Sequence, residues 1–557
     1  MANITRRGAL FTGISLVGTS AAACSGTSEG ESVDFPVDFN HGVASGDPGA
    51  DRIVIWTRIS AETTESISVR WEMATDKGFR KNKRKGKITT DAGRDYTVKV
   101  DATGLKAGQT YYYRFKIGKT VSPVGRTKTL PAGSIAQARF AVVSCSHFGF
   151  GYFNVYSEIA KHEHFDAVLH LGDYYYEYGR DGYGGKTGEK LGRLVEPAHE
   201  ILSLSDYRTR HGQYKRDSAS QAVHAAHPFI CIWDDHETAN DSWKSGAENH
   251  NAEDGDWDER RANAMKAYYE WMPVRDPEPG RAKETLFRSY SFGDLLTLCA
   301  IETRLTARAR PLDYSQHFAE LQTREGVGNF VQNILGDPTR ELLGAEQSAY
   351  IGKALKTSKK AQHPWRIIAN QVIMARTNSP DLTPYKDADF IKEIEKVFPP
   401  IHDYIALSPL GLPRNLDAWD GYPAARERFY AMAQEQGVTD LLVLTGDTHE
   451  CWANQLETTS GTAMGVELGT TGVTSPGTGA YFGDASADFS AKLNAKNDDV
   501  VYHNLDYHGY IDLTLNHETG QANFVSVDTI YKTDYKAFTS KSFKIEKQDG
   551  SLKLQDG

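Results

Sequence analysis

The sequence has few cysteines, no apolar run long enough to cross a bilayer and no surplus of basic residues. It contains 5 cysteines in 557 residues, and its formal net charge is −10. An acidic balance argues against indiscriminate binding to nucleic acid or anionic lipid, because both require basic patches. It does not exclude an anionic substrate, since bound metal ions can invert the local charge.

What the sequence does contain suits a globular protein with a large core. Hydrophobic residues make up 39% of the chain and aromatic residues 11%. A chain of this length exceeds one average domain, so we expect two or three.

The first residues are typical of an export signal. Arg6 and Arg7 form a twin-arginine pair, which precedes a short apolar stretch from Ala9 to Val17. Ala21-Ala22-Ala23-Cys24 resembles a lipoprotein cleavage box, in which Cys24 becomes the lipidated first residue; an ordinary signal cut at small residues is the alternative. We therefore predict a signal over residues 1–24 and a tether over 25–36. The mature protein is then periplasmic, membrane-tethered or extracellular.

The other four cysteines could pair in an exported protein. Cys231 and Cys299 lie inside apolar runs and are interpreted as small core residues, with a bridge between them left open. Cys145 ends another apolar run. A disulfide at that position would conflict with a role in metal binding.

Two segments with different patterning follow the tether. Residues 37–132 carry strand signals and little helical periodicity, and Gly104 to Tyr113 resembles the closing half of a fibronectin III-like sandwich. Residues 138–530 alternate strand, loop and helix, as in a layered α/β core. Residues 531–557 are predicted to be a charged C-terminal tail. The fold class is therefore α/β with a preceding small all-β domain.

Six continuous apolar runs in the second segment each stop at polar residues. Continuous runs are typical of strands buried on both faces, and ligands bind beyond the carboxyl ends of such strands. The residues at those ends are Cys145, Asp173, Asp234–Glu237, Glu302–Arg304, Asn370 and Asp447–His449. We expect them to meet at one rim as a metal-assisted hydrolase site. Long polar insertions at 174–206, 240–258 and 305–343 are predicted to form lids or rim walls.

The residue types at these ends indicate which metals they hold. Asp173 can bridge two cations, while Tyr176 and Cys145 offer phenolate and thiolate ligands that suit Fe(III) better than Mg²⁺ or Ca²⁺. Asp235 can bind a second metal, and His236 is placed for proton transfer. Asp447 and His449 stand two residues apart and are expected to face the same way.

These motifs resemble those of a known family. Gly172-Asp173-x-x-Tyr176, Asp235-His236-Glu237 and Gly446-Asp447-Thr448-His449 are similar to metallophosphoesterase motifs. Together with Ser144-Cys145, Glu302-Thr303-Arg304 and the segment His41 to Pro48, they resemble PhoD-type alkaline phosphatases over nearly the whole chain. The resemblance implies a four-layer α/β/β/α sandwich. It also implies a phosphomonoesterase and phosphodiesterase that uses one Fe(III) and two Ca²⁺.

The resemblance also assigns roles to individual residues. Iron would be held by Cys145, Asp173 and Tyr176, with His449. Asp173 would bridge to calcium, for which Asp235, Asn370 and Asp447 would supply oxygens. Arg304 would grip the phosphate, and His236 would donate a proton or a hydrogen bond. An oxygen species shared by the metals would attack phosphorus in line with the leaving group.

Two alternatives remain open at this stage. One is a phospholipase D-like phosphodiesterase of the same family, with the insertions forming an apolar entry for lipid. The other is a non-catalytic surface lipoprotein that binds a ligand or a metal. The expected partners are small-molecule phosphate esters or esters derived from lipids or nucleotides, without stable binding of nucleic acid. The protein is expected to be a monomer.

Overall fold

A computed structural model describes residues 33–396 and 400–557. The signal over 1–24, with Cys24, and the tether up to residue 32 lie outside the described residues. Within the described ranges, none of the helices combines the length and the apolar character that a membrane crossing requires.

The N-terminal segment consists of strands and one three-residue 3₁₀ turn, as predicted. The strands are β1 (Val37–Asp38), β2 (Val43–Gly46), β3 (Arg52–Arg58), β4 (Ser60–Ala61), β5 (Ile67–Ala74), β6 (Arg84–Thr90), β7 (Thr97–Thr103), β8 (Thr110–Ile117), β9 (Thr120–Val121) and β10 (Gly125–Lys128). β5, β6, β8, β9 and β10 form a five-stranded sheet, and β1 pairs with β4.

Within the described residues, the α/β segment contributes the other strands and the α-helices. Its strands are β11 (Gln137–Val143), β12 (Ala167–His170), β13 (Pro228–Cys231), β14 (Arg288–Phe292), β15 (Leu296–Ala300), β16 (Trp365–Ala369), β17 (Leu441–Thr445), β18 (Cys451–Glu457), β19 (Ala463–Gly469), β20 (Val500–Asn504), β21 (His508–Asn516), β22 (Thr519–Val527), β23 (Ala537–Gln548) and β24 (Ser551–Asp556). The helices are α1 (Asn154–Ala160), α2 (Gly185–Leu191), α3 (Leu204–Arg216), α4 (Ser218–Ala226), α5 (Trp257–Trp271), α6 (Arg324–Asn329), α7 (Gly344–Lys360), α8 (Asp389–Glu395), α9 (Ile401–Leu407), α10 (Pro423–Glu435), α11 (Gly479–Phe482) and α12 (Ser486–Lys496).

Two large sheets carry the six predicted strands. The ten-stranded sheet has the order β24-β23-β22-β21-β11-β12-β13-β2-β3-β7, and the seven-stranded sheet has the order β14-β15-β16-β17-β19-β18-β20. β11, β12 and β13 are parallel neighbours in the first, and β15, β16 and β17 in the second. Parallel pairing brings the carboxyl ends of each set of three to a common edge.

Alternate residues of these strands belong to different apolar clusters, which confirms that the strands are buried on both faces. In β17, Leu442 and Leu444 join a cluster that contains residues of both sheets, whereas Leu441 and Val443 join one with residues of α7 and α10. In β12, Leu169 joins the shared cluster, and Val168 joins one with residues of α1, α3 and α5. The molecule is therefore a mixed α/β protein built on several sheets.

The N-terminal segment does not close on itself, as a separate small β domain would. β2 pairs in parallel with β13, so β2, β3 and β7 extend the ten-stranded sheet of the α/β segment. Asp47 reinforces this junction, because its carboxylate accepts hydrogen bonds from Arg288 at 2.6 Å and from Tyr290 at 2.9 Å. Strand signals in a sequence show that a strand forms but not which strand it pairs with.

The predicted charged tail over 531–557 is wrong. This stretch forms β23 and β24 at the edge of the ten-stranded sheet. Phe543, Ile545 and Leu552 are buried in the cluster shared by the two sheets. Lys541, Lys544 and Lys547 give the stretch its charged composition and interrupt its apolar positions.

The bridge left open between Cys231 and Cys299 does not form, since both are free buried thiols. They belong to different apolar clusters, one on the outer side of each large sheet. Both are core residues, as the first interpretation held.

Candidate functional site

The carboxyl ends of the two sets of parallel strands meet at one place. The indole nitrogen of Trp233, after β13, donates to Glu302, after β15, at 3.0 Å. Ser144, after β11, forms a β-bridge with Gly472, which follows β19. The two sheets are thereby locked together where the candidate ligands emerge, and this common edge is the rim that the sequence predicts.

The first candidate metal group consists of Cys145, Asp173 and His449, whose ligand atoms lie within 4.8 Å of one another. The Sγ atom of Cys145 is 3.4 Å from Oδ2 of Asp173. The phenol of Tyr176 joins the group, with its oxygen 3.2 Å from the same Oδ2 and 3.0 Å from Nε2 of His449. Ser475, which the sequence analysis missed, donates to this phenol at 2.7 Å.

Two further groups extend the first. Asp173, Asp235 and His236 form one, and Asp234, Asp235 and Asp447 form the other, each with ligand atoms within 4.8 Å. Asp173 is common to the first and second groups, and Asp235 is common to the second and third. Each shared carboxylate has two oxygens and can therefore bridge two cations. Asp234, to which the sequence analysis assigned no metal, is itself a candidate ligand.

Four of these residues have a left-handed backbone. The φ angles are 61° at Cys145, 54° at Asp173, 62° at Asp447 and 60° at His449. Residues other than glycine rarely adopt this conformation, which costs about 1–3 kcal/mol and is concentrated at functional sites. The turn that each residue makes off its strand aims its side chain at the common edge.

In the absence of a cation, burial disfavours the ionised forms of the side chains in these groups. It raises the pKa of the Cys145 thiol, with a further contribution from Asp173. Burial likewise raises the pKa of the Tyr176 phenol, and the neighbouring Asp173 and Cys145 add to it. The pKa of Asp173 is raised well above its usual range by burial and by the charges of Asp235 and Asp234, although His236 opposes the shift. Cations at the centre would reverse these shifts.

Unpaired carboxylate oxygens show that the residues fit metal ions. Oδ1 of Asp173, Oδ1 of Asp235 and Oδ2 of Asp234 are buried without a hydrogen-bond partner among the described residues. A buried oxygen without a partner is costly unless an ion or a donor satisfies it. Thiolate, phenolate and imidazole suit iron, and the carboxylate oxygens suit calcium, so the donor set agrees with the predicted metals.

His236 is held by a carboxylate that the sequence analysis missed. Nδ1 of His236 lies 2.7 Å from Oε2 of Glu177, which is fully buried. Glu177 also accepts from the Asn240 backbone and from Asn249. Although burial opposes it, the nearby carboxylates Asp235, Glu177 and Asp173 raise the pKa of His236. The sequence could have identified Glu177, because it directly follows Tyr176 in the loop after β12.

Arg304 lies at the site but does not line the cleft, contrary to the role of gripping phosphate. It is fully buried, and its guanidinium contacts Asp234 at 2.5 Å, Asp417 at 2.6 Å and Asp447 at 3.2 Å. Its donors are therefore taken by carboxylates. The sequence places Arg304 just after a strand. It does not show that Asp417 packs against Arg304.

Asn370 and Cys451 are oriented differently from the expected arrangement. The amide of Asn370 donates to the Val372 carbonyl at 2.6 Å and accepts from Trp419 at 3.4 Å, so its place among the calcium ligands stays a prediction. Simple alternation would place Cys451, two residues after His449, on the same side as Asp447 and His449, but it packs in the core between the sheets. The left-handed backbone of Asp447 and His449 breaks that alternation.

An open cleft leads to the metal groups. It has a volume of about 680 Å³, and Asp173, Asp235, His236, Asp447 and His449 form its inner wall. Residues 178–187 of the first insertion and 240–241 of the second line its sides. These parts of the insertions are rim walls, in agreement with their predicted role.

Comparisons with known proteins agree with this geometry. The PhoD-like phosphatase family matches residues 140–524, and the N-terminal domain of PhoD-like phosphatases matches residues 25–131. Alkaline phosphatase D of Bacillus subtilis (strain 168) is 34% identical over 529 residues, which cover 92% of this chain and 82% of that protein.

A solved structure of PhoD superimposes with a TM-score of 0.76 at 31% identity, covering 93% of this chain and 92% of the other. Matches of this extent, in both segments, include all the strands that carry the candidate ligands. The chain therefore belongs to the PhoD-like phosphatase family.

Proposed function

We propose that this phosphoric ester hydrolase is an exported, metal-dependent enzyme that cleaves both phosphomonoesters and phosphodiesters. The observation that carries the proposal is the row of three candidate metal groups, joined through Asp173 and Asp235, at the inner end of an open cleft. Several cations in such an arrangement would stabilise a bound phosphate ester, because charge is spread over several oxygens during transfer.

The proposed metals are one Fe(III) and two Ca²⁺. Cys145, Asp173, Tyr176 and His449 would hold iron, which is supported by the contacts among their ligand atoms. Asp173, Asp235, Asp447 and Asn370 would hold calcium, and this part is supported by the buried oxygens of Asp173 and Asp235 that accept no hydrogen bond. When bound, the metals would lower the pKa of water and neutralise charge on the phosphate.

The chain's own residues would orient the substrate and move a proton. The cleft walls would exclude bulk water and direct the ester oxygen toward His236. Glu177 would fix the ring of His236 by its hydrogen bond to Nδ1, leaving Nε2 to donate to the leaving oxygen. The ester P–O bond breaks, the departing oxygen takes its electron pair and the proton, and an oxygen from water joins phosphorus. Arg304 would hold Asp234 and Asp447 in place.

We also propose a fold layering, a location and an oligomeric state. The four-layer α/β/β/α arrangement is supported by apolar clusters that lie between the sheets and against the helices on either side. Export by the twin-arginine route, with lipidation of Cys24, is supported by the leader sequence. We expect a monomer whose substrates are small phosphate esters.

The test is metal analysis combined with hydrolysis of p-nitrophenyl phosphate and its bis ester. We expect the purified enzyme to contain iron and calcium and to absorb visible light. Asp235→Asn should lose calcium and at least about 10²-fold in kcat, since one metal clamp is removed. Tyr176→Phe should lose the visible band that a phenolate ligand gives iron.

A matched control is Glu325→Gln, an exposed carboxylate on α6 that lies away from the cleft. It should retain metals, colour and activity. Normal turnover by Asp235→Asn would contradict the proposal, and so would a band that persists in Tyr176→Phe. Exclusive release of the alcohol from a phospholipid, with no hydrolysis of the p-nitrophenyl esters, would instead favour the phospholipase D-like alternative.

A further inference from the structure

A short segment after β19 contacts two of the proposed iron ligands. This segment, the β19 loop, runs over residues 470–476 and contains three threonines and one serine. β19 is parallel to β17, so the loop leaves the seven-stranded sheet at the edge where Asp447 and His449 also emerge. Its residues therefore lie beside the candidate metal groups.

The β19 loop is fixed to the ten-stranded sheet by its backbone. Gly472 forms a β-bridge with Ser144, and the Val473 nitrogen donates to the Ser144 carbonyl at 3.0 Å. The Ser475 nitrogen donates to the Cys145 carbonyl at 3.2 Å. These bonds hold the loop in place relative to Cys145, so the groups that it carries are preorganised.

Ser475 directs its hydroxyl at the phenol of Tyr176. Its Oγ donates to the phenolic oxygen at 2.7 Å, and both side chains are fully buried. The same phenolic oxygen lies 3.2 Å from Oδ2 of Asp173 and 3.0 Å from Nε2 of His449. Asp173 and His449 are candidate metal ligands, whereas Ser475 supplies a hydrogen-bond donor to the phenol.

The next residue of the loop orients a second ligand. The carbonyl oxygen of Pro476 lies 2.9 Å from Nδ1 of His449. A carbonyl oxygen can only accept, so Nδ1 carries the proton of this bond, and Nε2 of a neutral ring keeps a free lone pair. Nε2 is the atom that faces the Tyr176 phenol. Histidines that bind metals are usually fixed in this way, by a hydrogen bond from the other ring nitrogen.

A hydrogen bond to a phenolate changes how strongly the phenolate donates to a metal. The donor stabilises the lone pairs of the phenolate oxygen, so less electron density passes to the cation. The visible band of an Fe(III)–phenolate pair arises from transfer of an electron from the ligand to iron. Stabilising the ligand therefore raises the energy of this transition, and it also makes Fe(III) easier to reduce.

We propose that Ser475 is a positioning residue of the iron site, and that its hydroxyl sets the donor strength of the Tyr176 ligand. Pro476 acts on His449 in the same way, through its carbonyl. This inference rests on the proposed binding of iron by Tyr176 and His449. It adds the groups that control two of the iron ligands.

The experiment compares Ser475→Ala with the unaltered enzyme, both isolated with their metals. We expect the visible band of the variant to lie at longer wavelength, because the phenolate loses its donor and the transition needs less energy. The reduction potential of the iron should fall for the same reason. The kcat for p-nitrophenyl phosphate should fall by about tenfold, as is common when a group behind a metal ligand is removed.

Thr474→Val is the matched control. Thr474 directly precedes Ser475 and is equally buried, but its hydroxyl donates to the His147 carbonyl at 2.8 Å. The substitution removes a buried hydroxyl from the same loop and leaves the hydrogen bonds to Tyr176 and His449 in place. The band and the reduction potential should therefore match those of the unaltered enzyme.

The outcomes separate this inference from the proposed function. An unshifted band in Ser475→Ala with iron bound would overturn the role of Ser475 and leave the iron site intact. An equal shift in Thr474→Val would show that packing of the loop controls the band, and would also overturn the inference. Iron lost from Ser475→Ala but kept by Thr474→Val would support it. Absence of iron from the unaltered enzyme would instead overturn the proposed metal site, on which the inference depends.

Discussion

At the scale of single residues, the site depends on conformations that side chains other than glycine rarely adopt. Cys145, Asp173, Asp447 and His449 are all left-handed. Glycine would relax each backbone, but it would remove the ligand atom. The protein therefore keeps a metal ligand where the backbone alone favours glycine, and the surrounding sheets must supply the stability that these turns cost.

Glu177 provides a test of how the proposed proton donor is oriented. We expect Glu177→Gln to reduce kcat by about 10²-fold, because a neutral amide holds the protonated ring of His236 less well. KM and the metal content should change little. Glu200→Gln is the matched control, since Glu200 contacts the same Asn249 at 3.3 Å but not His236. Equal losses of kcat in the two variants would contradict this role for Glu177.

The residue types and the strand exits that carry them were predictable; how each side chain is partnered was not. Cys145, Asp173 and His449 follow continuous apolar runs, and such runs identify strand ends reliably. Asp241, Asp417 and Ser475 come from loops with no strand pattern of their own. Their places depend on how distant segments pack, which local sequence does not encode.

At the scale of elements, the pattern of apolar and polar residues determines which strands can be recognised from the sequence. The six continuous runs were all recognised, because burial on both faces leaves an unbroken apolar stretch. β23 was missed because lysines and other polar residues interrupt its apolar positions, although Phe543 is 1% exposed. A half-buried strand with many polar and charged residues has the composition of a tail, and only its pairing with β22 and β24 distinguishes the two.

The two phenylalanines of β23 test this assignment. Phe543 packs between the large sheets, whereas Phe538 is 39% exposed on the same strand. We expect Phe543→Ala to lower the free energy of unfolding by about 3–5 kcal/mol, the usual loss for a buried aromatic ring. Phe538→Ala should change it by less than about 1 kcal/mol. Urea unfolding followed by fluorescence measures both, and equal effects would place β23 outside the core.

At the scale of the whole molecule, the shared sheet makes the N-terminal segment part of the catalytic framework. β2 lies beside β13, whose far end leads to Asp235 and His236. The sequence predicts both segments and the boundary between their patterns. It does not predict their union, because parallel pairing between remote strands leaves no local signal.

Asp47 tests whether the two segments unfold together. Arg275 and Arg288 both form ion pairs with its carboxylate, which is 3% exposed. Asp47→Asn leaves two partly exposed guanidinium groups with a weaker partner at a buried position, so we expect a loss of about 1.5–3 kcal/mol in unfolding free energy. Thermal scans should show one transition in which activity and fluorescence are lost together, shifted downward in the variant. Two separate transitions in the unaltered protein would mean that the segments are independent.

The pairing of β2 with β13 also sets an order of events during synthesis. The two strands are about 180 residues apart in the chain, and at about 5–20 residues per second the ribosome needs roughly 10–40 s to make the stretch between them. For that time β2 is an unprotected edge that can pair with a neighbouring nascent chain. Slower translation of residues 47–227 should therefore raise the fraction that aggregates, and a chaperone that covers extended apolar strands should lower it.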